Sequence, residues 1–275
     1  MTLLSMNEIT TYRWSLEEDV ENYLQAGYRA IGVWRHKLTD CEEARAIDLL
    51  DGSGLRVSNL LWAGGFTGND GRSLSESIDD AVEALRLAAG LQAGCLVIYP
   101  GGRNNHTYRH AGRLLRLALD ELLPLAEEVE VPLAIEPMHP ACAADWTFLT
   151  NLQDVLALLE EYCSPQMKLA YDTYHFPFDA RRRKQLAELA PHIGIVHLGD
   201  RRAAPSAEQE RCPLGCGRLP LADIVTTLQV AGYAGAFDVK LIGQEIEASE
   251  YWRLLEHSQL AFAELVNPIG TRSFV

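Results

Sequence analysis

The sequence predicts an α/β protein, a (β/α)8 TIM barrel taking up residues 1–275 as one domain. Three observations lead there. Short apolar runs alternate with amphipathic helical segments eight times, with no linker or composition break between them. The runs are apolar throughout rather than alternating, as strands covered on both faces are. Three of them also end on a polar residue of metal-ligating type. Val131–Ile135 runs into Glu136, Leu169-Ala170-Tyr171 into Asp172, and His192–Val196 into His197. Parallel strands of a barrel all end at one mouth, so these three side chains are expected to converge.

The elements follow in order. Met6–Tyr12 is the expected first strand. Ser15-Leu16-Glu17-Glu18 is a capping box that opens a helix with Leu16, Val20, Tyr23 and Leu24 at helical spacing, ended by Gly27. Ala30–Trp34 reads as strand two, Cys41–Leu50 as a helix, and Leu55–Trp62 as strand three after the turn Asp51-Gly52-Ser53-Gly54. The glycine-rich segment from Gly64 to Gly71 reads as a flexible lid, because it has neither P-loop nor Rossmann spacing. A second capping box, Ser73 with Glu76, opens a helix carrying Ile78, Val82 and Leu85. Cys95–Tyr99 is strand four, Thr107–Val129 a long helix, and strand five ends at Glu136. Thr150 with Gln153 is the expected cap of the helix bearing Val155, Leu156 and Leu159. Strand six ends at Asp172, a helix spans Arg181–Ala190, and strand seven ends at His197. Leu219–Ala231, Ala236–Leu241 and Ala248–Leu265 complete the pattern as helix, strand and helix.

Composition narrows the function. The 275 residues are 48% hydrophobic, and no stretch reaches the roughly 18–20 apolar residues of a membrane span. The stretch from Met1 to Glu8 lacks a basic start and a long apolar core, so no secretory signal is read and a cytoplasmic location is expected. Six scattered cysteines fit a reduced compartment, and Cys212 and Cys216 form a Cys-x3-Cys without a second pair. A net charge of -14 speaks against nucleic-acid partners, which need a basic footprint. The basic run Arg181-Arg182-Arg183-Lys184 reads as a solvated helix start. The expected partner is a small molecule, with neither membrane nor nucleotide cofactor, and self-association is left open.

The strand ends carry the candidate chemistry. Trp34, Arg35 and His36 follow strand two, Trp62 strand three, and Asn104, Asn105 and His106 strand four. Glu136 and His139 follow strand five, Asp172 and His175 strand six, and His197, Asp200, Arg201 and Arg202 strand seven; Lys240 ends strand eight. Mixed carboxylate and imidazole donors suit Mn²⁺, Mg²⁺, Co²⁺ or Zn²⁺. Trp34, Trp62, His106, His139 and Arg202 are the expected substrate contacts, and Glu136, His175 and Lys240 the expected catalytic groups. Tyr99, Tyr108, Trp146 and Tyr174 add aromatic surface near the mouth.

The segments Ile135-Glu136-Pro137, Tyr171-Asp172-Thr173-Tyr174-His175, Val196-His197-Leu198-Gly199-Asp200 and Gly232–Val239 resemble the sugar phosphate isomerase/epimerase family of xylose isomerase-like barrels, over essentially the whole chain. That group includes ketose 3-epimerases, inosose dehydratases and 3-dehydroshikimate dehydratases. The resemblance implies that Glu136, Asp172 and His197 bind a divalent metal and that His175 contacts substrate. It also implies a fourth ligand, a glutamate closing Gly-Tyr-x-Gly-x-x-x-x-Glu, and that position is Lys240 here. Gly215-Cys216-Gly217 likewise replaces a Gly-acidic-Gly turn of many relatives.

Two readings follow. In one, a metal on Glu136, Asp172 and His197 polarises a carbonyl and stabilises an enediolate, with His175, His106, His139 and Lys240 as acid and base candidates. In the other, the Lys240 ammonium takes that corner, pairs with Glu136 and Asp172, and acts as electrophile or proton donor. Schiff-base chemistry is disfavoured, since two neighbouring carboxylates raise a lysine pKa. The expected function is isomerase or epimerase chemistry on a sugar, cyclitol or related polyhydroxylated carbonyl compound. The alternatives are a dehydratase or lyase acting without metal on a ring-bearing intermediate, or a catalytically silent binding protein. Retention of Glu136, Asp172, His175 and His197 argues against the last.

Overall fold

The computed structural model describes residues 2–267; Met1, part of the stretch read for a signal, lies outside them. Eight parallel strands close in sequence order: β1 (Leu3–Asn7), β2 (Ala30–Trp34), β3 (Arg56–Gly64), β4 (Leu96–Tyr99), β5 (Leu133–Ile135), β6 (Met167–Asp172), β7 (Ile193–Leu198) and β8 (Ala236–Val239). Outside run α1 (Leu16–Gln25), α2 (Glu43–Ser53), α3 (Leu74–Gly90), α4 (Tyr108–Glu128), α5 (Leu152–Tyr162), α6 (Ala180–Leu189), α7 (Leu221–Val230), the short α8 (Gln244–Glu247) and α9 (Tyr251–Val266). Among the described residues, no helix is long and apolar enough to cross a membrane.

Local chemistry sets the helix starts. The Ser15 and Ser73 hydroxyls accept from the Glu18 and Glu76 amides, and each glutamate returns the bond to the cap amide. The apolar stripe of α4 shows how the helices hold: Ala111, Leu115, Ala118, Leu119 and Leu122 are all fully buried. Each such leucine contributes roughly 1.5–3 kcal/mol relative to exposure. Together these faces form the outer core, between strands and helices.

Side chains pointing into the lumen form a second cluster. Cys95, Val97 and Tyr99 come from β4 and its entry, Ala134 from β5, Ala170 from β6, Ile195 from β7 and Ala236 from β8. Because strand side chains alternate, Glu136, Asp172, His197 and Asp238 lie two residues further along the same inward rows. Register places Asp172 beside His197 and His197 beside Asp238. Gly32 makes room there, since a Cβ would lie 2.5 Å from both Asn7 Nδ2 and Asp238 Oδ2.

Several boundaries differ from those expected. The first strand is shifted to Leu3–Asn7, because Glu8 to Thr11 form turns instead: the Thr10 and Thr11 amides donate to Asn7 and Glu8 carbonyls. The β-forming Ile9, Thr10 and Thr11 were outweighed by those turns. Asn151, not Thr150, caps α5, with its side chain accepting from the Asp154 amide. A 3-10 segment, Arg35–Asp40, precedes α2 and delays it. The Gly64–Gly71 segment is braced rather than free. Phe66 and Thr67 are buried, Thr67 Oγ1 donates to the Gly102 carbonyl at 2.6 Å, and Arg72 donates to the Gly64 carbonyl.

The turn after β1 carries an acid pair. Glu8 is fully buried; its Oε2 accepts from the Trp34 amide while Oε1 has no partner. Asp19 beside it accepts from Thr11 and pairs with Lys37. Burial first, then the Asp19 charge, push the Glu8 carboxyl well above its usual range, and burial lifts Asp19 to about 6. Carboxyls raised in the folded state stabilise it at low pH and lose that contribution as pH rises through the folded pKa. His175, lowered by burial to about 4, acts in the opposite sense over the same window. The diagnostic quantity is therefore a difference. Glu8→Gln should gain on the wild type as pH rises from 4 to 8, reaching about 1–3 kcal/mol once its orphan oxygen is replaced by a donor. Urea unfolding at both pH values checks this, and an unchanged difference contradicts it.

Candidate active site

Glu136 sits at the centre. β5 ends at Ile135, whose strand position leaves Glu136 pointing into the mouth, fully buried. Its Oε1 accepts from Lys240 Nζ at 2.9 Å. Its Oε2 accepts from the Tyr99 hydroxyl at 3.1 Å and lies 3.0 Å from His197 Nδ1. Since a carboxylate only accepts, His197 carries its proton on Nδ1. Burial pushes the Glu136 carboxyl up, but Lys240 and then His197 more than offset it and hold it at about 2.

Asp172 ends β6. Arg211 grips it with two bonds, Nη1 to Oδ1 at 3.0 Å and Nη2 to Oδ2 at 2.9 Å, and both side chains are fully buried. Lys240 Nζ lies 3.4 Å from Oδ2, and the Tyr174 amide donates to Oδ1. Despite burial, Arg211 and Lys240 keep Asp172 ionised far below the ordinary range. Lys240 follows β8 directly, where its amide is bonded to the Leu198 carbonyl. Burial opposes its charge, yet Glu136, Tyr99 and Asp172 outweigh burial and raise its pKa. Lys240 is therefore an ammonium, as the second of the two readings requires.

His175 completes the floor. It is fully buried, with Nε2 3.8 Å from Glu136 Oε1 and 3.9 Å from Asp172 Oδ2, and neither ring nitrogen has a hydrogen-bond partner. Burial lowers it to about 4, against the pull of Asp172, so near neutral pH it is an uncharged imidazole with a free lone pair. Trp62, Tyr99 and Trp146 pack together above this floor, Trp146 edge-on to the other two and Trp62 tilted against Tyr99, with ring centroids 5.1 to 5.7 Å apart.

The other expected contacts lie further out. Trp34 and Trp62 line a rim cavity of about 370 Å³ between the β2 and β3 ends, which does not reach Glu136 or Lys240. His106 ties a loop by bonding to the Thr67 carbonyl. The His139 ring accepts from the Ala141 amide. Arg202 is exposed and clamped by Glu245, away from the floor. Tyr108 is 57% exposed on α4. His106, His139, Arg202 and Tyr108 make none of the contacts of the floor described above. All six cysteines are free, and Cys216 lies near His257 rather than in a metal cluster.

The sequence did not single out Arg211. It rises from the loop between β7 and α7, which Asp200 anchors by accepting from the Arg201, Gly215, Gly217 and Leu219 amides. Gly199 clears its path, since a Cβ there would lie 2.6 Å from Arg211 Nη1. Asp238 was also missed. Its Oδ2 accepts from Asn7 and Asn59 and lies 3.8 Å from His197 Nε2, which has no hydrogen-bond partner. An acid inside an otherwise apolar strand was its signal.

Glu136, Asp172 and His197 offer ligand atoms within 4.8 Å of one another, a grouping whose donor chemistry could hold a divalent ion. Lys240 and Arg211 stand against that use. Each of the four carboxylate oxygens already accepts from the chain, and His197 Nδ1 is committed to Glu136. At ~4 Å and an effective dielectric of ~20, a unit charge repels a divalent ion by about 8 kcal/mol gross. With these two cations seated, the site does not fit a metal.

The profile of the xylose isomerase-like TIM barrel family matches residues 20–256. The chain belongs to this family. No curated protein matches it. Among solved structures, protein SMc04130 from Sinorhizobium meliloti 1021 is 27% identical with a TM-score of 0.87, covering 95% of this chain and 98% of that one. An IolI protein with a bound zinc atom is 19% identical with a TM-score of 0.83, over 98% of this chain and 100% of its own. An L-ribulose 3-epimerase is 18% identical with a TM-score of 0.79, over 98% and 95%. At those two identities the likeness is one of fold.

Proposed function

We propose that this family member is an isomerase- or epimerase-type enzyme that moves a proton beside the carbonyl of a small molecule, with Lys240 as the electrophile. The observation that carries this reading is the pairing of a fixed ammonium with an unpartnered neutral imidazole. Lys240 and His175 both flank Glu136 Oε1, at 2.9 and 3.8 Å. A carbonyl oxygen hydrogen-bonded to Lys240 Nζ becomes more acidic at its neighbouring carbon. His175 takes that carbon-bound proton, and Lys240 stabilises the resulting enolate oxygen. Return of the proton from His175 to the adjacent carbon of an enediol gives an isomer, and delivery of a solvent proton to the other face, with His175 releasing its own to solvent, gives an epimer. Glu136, held at about 2, is the anchor that fixes Lys240 rather than the base. The sugar epimerase named among the structural relatives supports a hydroxylated carbonyl substrate.

A second reading is favoured by the aromatic wall. Trp62, Tyr99 and Trp146, with half-buried Trp34 and Ile9 beside them, form an apolar surface where a free sugar would need hydrogen bonds. That surface suits a ring-bearing substrate, from which the same enolate can expel a β-hydroxyl as water, making the enzyme a dehydratase. Incubation with ketoses, cyclitol ketones and hydroxylated cyclohexanones in D₂O, followed by proton NMR, tests both. The expected result is deuterium at the carbon beside the carbonyl of at least one compound, in product or recovered substrate. Turnover of a compound without any deuterium uptake would overturn the enolisation reading.

A further inference from the structure

We infer that Lys240 and Arg211 together replace a divalent cation, so that the chain itself supplies the two positive charges that hold Glu136 and Asp172. The inference rests on the proposed reading of the site and adds Arg211 to it as a positioning residue. Four observations carry it. Two buried carboxylates face two buried cations, so charge balances within the chain. The cations divide the donors between them: Arg211 takes both oxygens of Asp172, and Lys240 contacts both oxygens of Glu136 and reaches Oδ2 of Asp172. The grouping they occupy is the one place among the described residues where three ligand atoms of this type lie within 4.8 Å. The backbone is also adapted to the substitution, because Gly199 leaves the corridor that Arg211 Nη1 needs and the Asp200-anchored loop delivers it.

Arg211 has a separate consequence. A bidentate guanidinium fixes the carboxylate plane, which a point charge does not. With Asp172 so fixed, Lys240 Nζ is left with its shortest contacts to Glu136 and Tyr99, at 2.9 and 3.0 Å, and its direction into the mouth is set. Removing Lys240 alone therefore does not free the site for a metal, because Asp172 stays closed. Both cations must go.

The test is Mn²⁺ titration of the intact chain, followed by calorimetry and by the EPR signal of free ion. Mn²⁺ is chosen because it prefers oxygen and imidazole donors over the exposed thiols. The proteins are the wild type, Lys240→Glu, Arg211→Met and the double variant. Wild type should show no single tight site, Lys240→Glu a gain of about tenfold or less, and the double variant a gain of about hundredfold or more over wild type. A wild-type protein binding one Mn²⁺ below roughly 10 µM would overturn the inference without recourse to any variant. So would a folded double variant that binds no better than wild type, or Lys240→Glu alone giving the whole gain. A purely structural role for Arg211 would not create affinity when it is removed. Deuterium uptake reads the chemistry and Mn²⁺ binding reads the charge substitution, so each can fail alone.

Discussion

Arg211→Met is expected to destabilise the fold by about 3–5 kcal/mol, the usual cost of stranding one partner of a buried ion pair. Asp172 is fully buried, and in the variant only Lys240, the Tyr174 amide and nearby His175 would remain beside it. The methionine also withdraws a cation from the Tyr174 ring, which the guanidinium faces at 4.6 Å. The penalty has a definite pH dependence. Asp172 is held far below its ordinary range, so its contribution is fully present above the unfolded aspartate pKa and is lost as pH falls. The gap between wild type and variant should be largest at pH 7 and shrink below about pH 4, where the unfolded carboxyl protonates. Urea unfolding at pH 7 and 3.5 measures it. A gap that is constant or widens in acid would mean that Arg211 acts through packing rather than through Asp172.

Lys240→Gln is expected to lower turnover of any substrate found by deuterium exchange by about 10²–10⁴-fold, the range for loss of a positioned acid. Glutamine keeps a donor near Glu136 but loses the charge that polarises the carbonyl. The loss should fall on kcat rather than KM, because the interaction strengthens as the enolate oxygen gains charge. Glu136 keeps the Tyr99 hydroxyl and His197 as partners, so the variant should still unfold cooperatively. Turnover within a factor of about three of wild type would remove Lys240 from the reaction.

Much of this site was legible because barrel topology turns chain order into position. Once eight strands were counted, Glu136, Asp172, His197 and Lys240 had to share a mouth, whatever their separation in sequence. The helix starts were legible where serine and glutamate sat three apart. Arg211 was not legible, because a loop of irregular backbone has no period from which a side chain's direction follows. Its course depends on Asp200 gathering amides from Arg201 to Leu219 and on the missing side chain of Gly199. His106, His139 and Arg202 stand four to seven residues beyond strand ends, where loops turn them to Thr67, Ala141 and Glu245. Asp238 could have been found, since an acid inside a buried strand needs partners, and Asn7 and Asn59 supply them.

The most direct measurement is elemental analysis of the protein purified without added metal and without chelator. If Lys240 and Arg211 carry the charge at Glu136 and Asp172, each chain should contain well below one equivalent of manganese, magnesium, cobalt or zinc, and the same preparation should catalyse the deuterium exchange. One equivalent of a divalent metal per chain, lost together with activity on dialysis against a chelator, would contradict the claim.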